Sequence, residues 1–224
     1  MTRSPERDAA ARERAREGIL EAAFEVIGER GYHEASIGEI TRRAGVAQGL
    51  ANYHFGSKEQ LVAAVLDRWF AENLAIACAP GTPDERLAGF IDTVLAGAVR
   101  ELPRQRILVA MGVQPSTHPL VAEAEQRNAV IVDGFECAIR GLFAERGAAD
   151  PALEETMLRS VLEGVIVKLA IYGDSYPVQG ARRWLYRVYG LPEPGPLPAA
   201  GADADEIRMR ARPVTPPGGR EPKG

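Results

Sequence analysis

The sequence predicts an all-α fold, and three observations carry that prediction. No stretch alternates apolar and polar residues with the period of two that a half-buried strand requires, and no internal repeat is present. Apolar residues instead recur at i, i+3, i+4 and i+7 in successive segments between Leu20 and Val188. Glycine or proline stands at the segment boundaries: Gly31, Gly45, Pro80-Gly81, Gly147 and Gly173.

Residues 1–10 read as a charged, flexible arm containing Pro5, followed by the solvated start of a helix with Arg12, Arg14 and Arg16. Leu20, Phe24 and Ile27, flanked by Ala23 and Val26, give that helix an apolar face as far as Arg30, where Gly31 ends it. Ser36 with Glu39 has the form of a capping box and opens a second helix. Ile37, Ile40 and Ala44 make its inward stripe, and Thr41, Arg42 and Arg43 fall on the wet side. Gly45 stops it, because glycine enters the left-handed conformation without a Cβ penalty. Ala47 to Phe55 is a further short helix with Ala51 and Phe55 inward. Ser57 with Gln60 starts a longer one, apolar through Leu61, Val62, Val65 and Leu66 into Trp69 and Phe70, and reaching about Ala79.

Pro80-Gly81 breaks the chain and Thr82-Pro83-Asp84-Glu85 restarts it, with proline at the first helical position and a second capping box. Leu87, Phe90, Ile91, Val94, Leu95 and Ala98 face inward as far as Glu101, and Pro103 opens a helix carrying Ile107, Leu108 and Met111 that dies near Gln114-Pro115. After a loop at Ser116 to Pro119, one long helix is expected up to about Arg146. Asp150-Pro151 opens the most apolar helix, which runs to Gly173; between Val165 and Tyr172 it is apolar nearly all round and needs cover on two faces. One face is assigned to its own domain and the other to an identical helix of a second copy, together with the later half of the preceding helix. Pro177 starts a last helix through Trp184, Leu185 and Val188. Residues 191–224, rich in proline and glycine, read as a disordered tail.

The segment AGVAQGLANYHFGSKEQL resembles the recognition segment of the TetR family of bacterial transcriptional regulators, in its AGV turn, its His54-Phe55 pair and the Lys58-Glu59 start of the next helix. The resemblance covers roughly residues 14–70. It implies a helix-turn-helix head whose second motif helix enters the major groove. Carried over position by position, Gln48, Gly49, Leu50, Tyr53 and His54 match base and phosphate readers, and Ser36, Arg43 and Lys58 match phosphate contacts. Ala47 departs from the capping serine or threonine common in the family, and Asn52 stands where its first tyrosine usually contacts a phosphate. The implied organisation is an arm at 1–10, a DNA-binding domain at 11–70, a helical effector-binding and dimerisation domain at 71–190, and the tail. The implied protein is a homodimeric regulator, a repressor released from double-stranded operator DNA by a small molecule. The other readings are a helix-turn-helix protein that binds DNA constitutively and a helical protein whose motif is vestigial.

Composition agrees with a globular protein: 46% of residues are hydrophobic and 26% charged, with a formal net charge of −4. Residues 1–60 hold nine Arg and Lys against ten acids, so DNA affinity must rest on where a few cations point rather than on a basic head. The first residues have no apolar signal core and no run is long enough for a membrane span, which predicts a cytoplasmic protein. Cys78 and Cys137 lack metal-ligand spacing and are expected to be reduced. The sequence has no P-loop, HExxH or GxSxG, and His33, His54 and His118 are scattered, so neither an enzyme, a metal nor a cofactor is expected.

The later helices read as a receptor, because ligand sites between helices need apolar walls and a few polar groups. Trp69, Phe90, Met111 and Phe135 are candidate walls, with Asp92, Gln114, His118, Asn128 and Lys168 as candidate polar contacts. Each also has a purely structural reading, as core, solvent face, loop, cap or dimer seam.

Overall fold

A computed structural model of the chain describes residues 5–74 and 80–197. Every regular element among these residues is helical: α1 (Pro5–Arg30), α2 (Ile37–Arg43), α3 (Gln48–Phe55), α4 (Lys58–Leu74), α5 (Pro83–Arg100), α6 (Leu102–Val113), α7 (His118–Arg127), α8 (Ala129–Glu145), α9 (Pro151–Tyr172) and α10 (Val178–Val188), with a single 3-10 turn at Gly173–Ser175. The expected continuation of α4 to Ala79, with Cys78, lies outside the described residues. Helix α1 already begins at Pro5, so the flexible arm expected through residue 10 is helical over its second half.

The head is built by its caps. Ser36 Oγ accepts the Glu39 amide at 3.2 Å, which starts α2. The Glu39 carboxylate does not return to the cap; it pairs with Arg30 at 2.8 Å and ties α2 to the end of α1. At the other end, Gly45 takes φ +66°. Its amide bonds to Arg42 O at 3.2 Å and the Val46 amide to Thr41 O at 3.0 Å, the bond pair of a Schellman stop. Thr41, expected on the wet side, is buried; its hydroxyl is satisfied by Ile37 O at 2.9 Å, which removes the cost of taking it out of water.

Ile19, Leu20, Ala23 and Val26 of α1, Ile40 of α2, Ala51 of α3 and Leu61 and Leu66 of α4 close one apolar core. That core does not stop at the head. Ile107, Leu108 and Met111 of α6 and Leu120 and Ala124 of α7 belong to it, so these helices are packed on the head side. The second core joins α5, α8, α9 and α10 through Leu87, Ile91, Leu95, Ile139, Leu158 and Leu185. Helix α6 packs against α1 at Gly28, where a Cβ would fall 2.2 Å from Ile107 Cδ1. Gly28→Val is therefore expected to lower stability by about 1–3 kcal/mol through overpacking, read as a shift in the denaturation midpoint at unchanged slope.

Three expectations are corrected. The single helix foreseen from the 118 loop to Arg146 is two helices, because Asn128 leaves the helical path and its amide bridges Asp67 Oδ1 on α4 and Ala124 O, both at 2.8 Å. The face of α9 open to a second copy is narrowed: Val165 is buried within its own chain and the later half of α8 turns inward through Ile139, Leu142 and Phe143, while Leu153, Met157 and Ile171 stay exposed. The tail is not wholly free, since Leu191 and Leu197 are buried against the second core and Arg182 donates to Gly195 O. Residues 198–224 lie outside the described residues.

Candidate nucleic-acid interface and body cavity

Helix α3 presents its polar side outward. Gln48, Gly49, Asn52 and Tyr53 are exposed, Tyr53 at 68%, while Ala51 and Phe55 hold the opposite side in the core. Leu50 and His54 are half-buried. The His54 ring lies edge-on to Tyr53 at 5.2 Å, and its Nε2 is buried without a hydrogen-bond partner. Ala47 supplies no side-chain cap, so the first-turn amides of α3 have no side-chain acceptor at the cap position.

The cations sit differently from the sequence expectation. Arg43 is committed to α1, with its guanidinium on both oxygens of Glu29 (2.8 and 2.6 Å) and on Glu25 at 3.3 Å. Lys58 lies 4.5 Å above the Tyr32 ring and donates to His33 O at 3.2 Å; burial holds its pKa below the ordinary value against the opposing effect of Glu59. Neither side chain points freely outward. Arg42, not selected as a contact, is 76% exposed, with only a 3.5 Å approach to Glu39. Its adjacency to Arg43 was the available signal, but only the turn of α2 decides which of the two faces out.

In the body, a cavity of about 540 Å3 lies among α4 to α9. Trp69, Phe90 and Phe135 line it as expected, joined by Phe70, Val94, Leu162 and Ile166. The other candidates are elsewhere. Met111 and Gln114 border a separate groove between α1 and α6, Asn128 is spent on the α7–α8 break, and Lys168 faces outward 5.5 Å from the Tyr172 ring. Asp92 is bonded to Arg182 and Tyr186, and His118 is exposed at the start of α7. Polar lining residues that spacing could not single out are Thr93, Gln105, Glu125, Arg159 and Glu163.

A junction of charges joins head to body beside this cavity. Glu21 of α1 accepts from Arg68 of α4 at 3.0 Å and from Arg104 of α6, and Glu17 accepts from Arg68 at 3.0 Å. Trp69 and Arg104 line both the small crevice at that junction and the body cavity. Burial pushes the Glu21 carboxyl up, but the bonds and charges of Arg104 and Arg68 outweigh it and hold the carboxyl below its ordinary 4.5. A depressed carboxylate contributes stability above its unfolded pKa and loses it as pH falls through the folded value. The stability gap between the native chain and Glu21→Gln is thus expected to be flat above about pH 5 and to shrink as pH drops below 4.5, measured by thermal unfolding across that range.

Among the described residues no group of His, Cys, Asp and Glu is placed to hold a metal ion, and no helix is long and apolar enough to cross a membrane. Cys137 is a free, exposed thiol on α8.

A trihelical head with a Schellman turn before an outward-facing α3 is a helix-turn-helix DNA-binding domain carried on a helical body. Residues 19–65 match the family model of bacterial regulatory proteins, tetR family. Over 80 residues the chain is 39% identical to the HTH-type transcriptional regulator BetI of Rhizobium meliloti (strain 1021), a match covering 34% of this chain and 39% of BetI. The chain thus spans about two fifths of the length of the curated relatives it matches in this group. Its whole fold is similar to the transcriptional regulator FadR from Bacillus subtilis in complex with stearoyl-CoA (TM-score 0.63, 19% identity, 77% of this chain and 96% of that one). It is also similar to a TetR-like transcriptional regulator from Rhodococcus sp. RHA1 (TM-score 0.60, 24% identity, 79% and 93%). Residues 19–65 thus carry a DNA-binding domain of the TetR-family type, on a body whose fold resembles that of a TetR-like regulator.

Proposed function

We propose that the protein is a cytoplasmic, homodimeric transcriptional repressor whose hold on operator DNA weakens when a small molecule occupies the body cavity. The observation that carries this reading is the wall shared by cavity and junction. A ligand that moves Arg104 acts on a side chain that bonds Glu21 of α1, and one that moves Trp69 acts on α4 next to Arg68, which bonds Glu17 and Glu21. FadR of the same fold, captured with stearoyl-CoA, supports a ligand site in such a body. The domain division follows function: residues 11–70 read DNA, and 71–190 bind effector and partner.

On the head, Gln48, Asn52 and Tyr53 are the proposed readers, with Gly49 and Leu50 allowing close approach and His54 bracing Tyr53. Ser36 and the uncapped start of α3 are the proposed phosphate contacts of the motif. Arg42 is the proposed outward phosphate contact; Arg43 and Lys58 take that role only by leaving Glu29 and Tyr32. The coupling required is modest, since about 1–3 kcal/mol changes operator affinity roughly 5- to 150-fold, and operator must weaken the ligand equally.

The test is protection of the promoter beside the protein's own coding region by purified protein, repeated with candidate effectors. Arg42→Ala is expected to weaken all sequences and lower the salt slope by about one unit, whereas Gln48→Ala relaxes discrimination at one position by about 1–3 kcal/mol. Protection that no cavity ligand alters would favour a constitutive binder. An unchanged slope in Arg42→Ala would remove that phosphate contact.

A further inference from the structure

The charges lining the body cavity are unequally committed. Two of its three guanidiniums, Arg104 and Arg159, hold carboxylates closely, and the third, Arg100, makes one long approach. Arg100 approaches Glu101 at 3.5 Å, Arg104 holds Glu21 and lies 3.4 Å from Glu101, and Arg159 lies 2.6 Å from the buried Glu155 and 3.0 Å from Glu136. The Glu125 carboxylate on α7 and the Glu163 carboxylate on α9 line the same cavity and have neither an ion pair nor a hydrogen bond among the described residues. The rings of Trp69, Phe70, Phe90 and Phe135 line the same cavity, with Phe90 and Phe135 5.6 Å apart.

We infer that this cavity takes an apolar organic cation, its charge near Glu125 and Glu163 at the rim and its body against the aromatic walls. The inference rests on the reading of the cavity as an effector site and specifies the ligand's chemistry. An anion would have to compete with the carboxylates already paired to Arg104 and Arg159. A cation displaces nothing, meets two uncommitted carboxylates, and is attracted by the negative faces of the rings. The volume, about 540 Å3, is that of a site for a drug-sized molecule. The rim carboxylates are exposed, so they select charge while the enclosed rings supply contact area.

Three tetrahedral probes vary charge: tetraphenylphosphonium and tetraphenylborate, which share one shape, and the smaller neutral triphenylphosphine oxide. Each is titrated by calorimetry into the full chain without DNA. The cation is expected to bind about tenfold or more tighter than the borate, with the neutral compound between them. The double variant Glu125→Gln, Glu163→Gln should bring the phosphonium down to the level of the phosphine oxide and leave the latter unchanged. Equal or tighter binding of borate, binding of none of the three, or an equal loss of phosphonium and phosphine oxide in the double variant would overturn the inference. Because no DNA is present, this outcome is separable from the regulatory reading. A chain that shows the cation order but protects no promoter loses the regulator and keeps the site. A chain that protects its promoter and releases it only to anions keeps the regulator and loses the cation.

Discussion

Asp92→Ala is expected to cost about 3–5 kcal/mol of stability, the largest effect of any single side-chain truncation in the body. Asp92 on α5 takes both nitrogens of the Arg182 fork, Nε and Nη2, at 2.6 Å each, and also accepts the Tyr186 hydroxyl at 2.7 Å. Arg182 is 4% exposed in its side chain, so removing its acceptor leaves a guanidinium with no route to water. Its remaining bond is to Gly195 O, and that bond pins the segment 191–197 whose Leu191 and Leu197 close the second core. Removing the other partner should be milder. In Arg182→Met the apolar stem is kept, and Asp92, 25% exposed, can rehydrate while still accepting from Tyr186. Urea unfolding at fixed protomer concentration gives the comparison, because a dimer's stability depends on concentration. A loss under about 1 kcal/mol in Asp92→Ala, or a larger loss in Arg182→Met, would show that this pair does not anchor α10.

The same network marks the limit of what was legible in the sequence. Local signals placed most helix ends because a cap and its target lie three residues apart, although at Ser36 Glu39 turned to Arg30 instead of completing the box. Thr82 makes the full reciprocal box with Glu85, Asp150 caps the Leu153 amide at 3.0 Å, and Gly31, Gly147 and Gly173 all take positive φ where helices stop. The pairing of Asp92 with Arg182 spans 90 positions and leaves no periodic trace; Asp92 read equally well as a solvent residue or a pocket group. The break at Asn128 was hidden for the same reason, since its cause is Asp67, 61 positions away. Thr41 was misplaced because hydrophobic patterning counts its hydroxyl as polar, whereas a carbonyl four residues back satisfies it locally. In the site, the outward face of α3 followed from two inward residues, Ala51 and Phe55, on an eight-residue helix. Cavity walls did not follow, because a wall is defined by several helices at once. Three aromatic candidates line the cavity, whereas Asp92 and Asn128 are spent on other helices and Gln114, His118 and Lys168 lie exposed away from it.

Loss of dimerisation in Trp184→Glu is the second large expected effect. After internal packing is assigned, α9 keeps Leu153, Met157 and Ile171 at 56, 50 and 62% exposure, and α10, which packs against α9, keeps Trp184 and Val188 at 47 and 53%. Leu153, Met157, Gly164 and Ile171 follow one face of α9 at helical spacing. Gly164 is open to the outside, with nothing within 4 Å of a Cβ placed there, so a second helix can approach its backbone. In the proposed homodimer a two-fold contact through this patch brings each substitution in twice. A charge replacing a central tryptophan removes an anchor and strands two carboxylates in an apolar seam. The expected loss is about 4 kcal/mol or more, roughly a thousandfold in dimer dissociation constant. Sedimentation should find monomer at concentrations where the native chain is dimeric. Val130→Glu, at an 87% exposed position on α8, should leave the dimer intact. Operator affinity should fall with the dimer, because one head engages only one of two half-sites spaced about 34–36 Å apart. If Trp184→Glu stays dimeric with native affinity while Val130→Glu dissociates, the seam belongs to the start of α8, and the α9–α10 face must serve another partner.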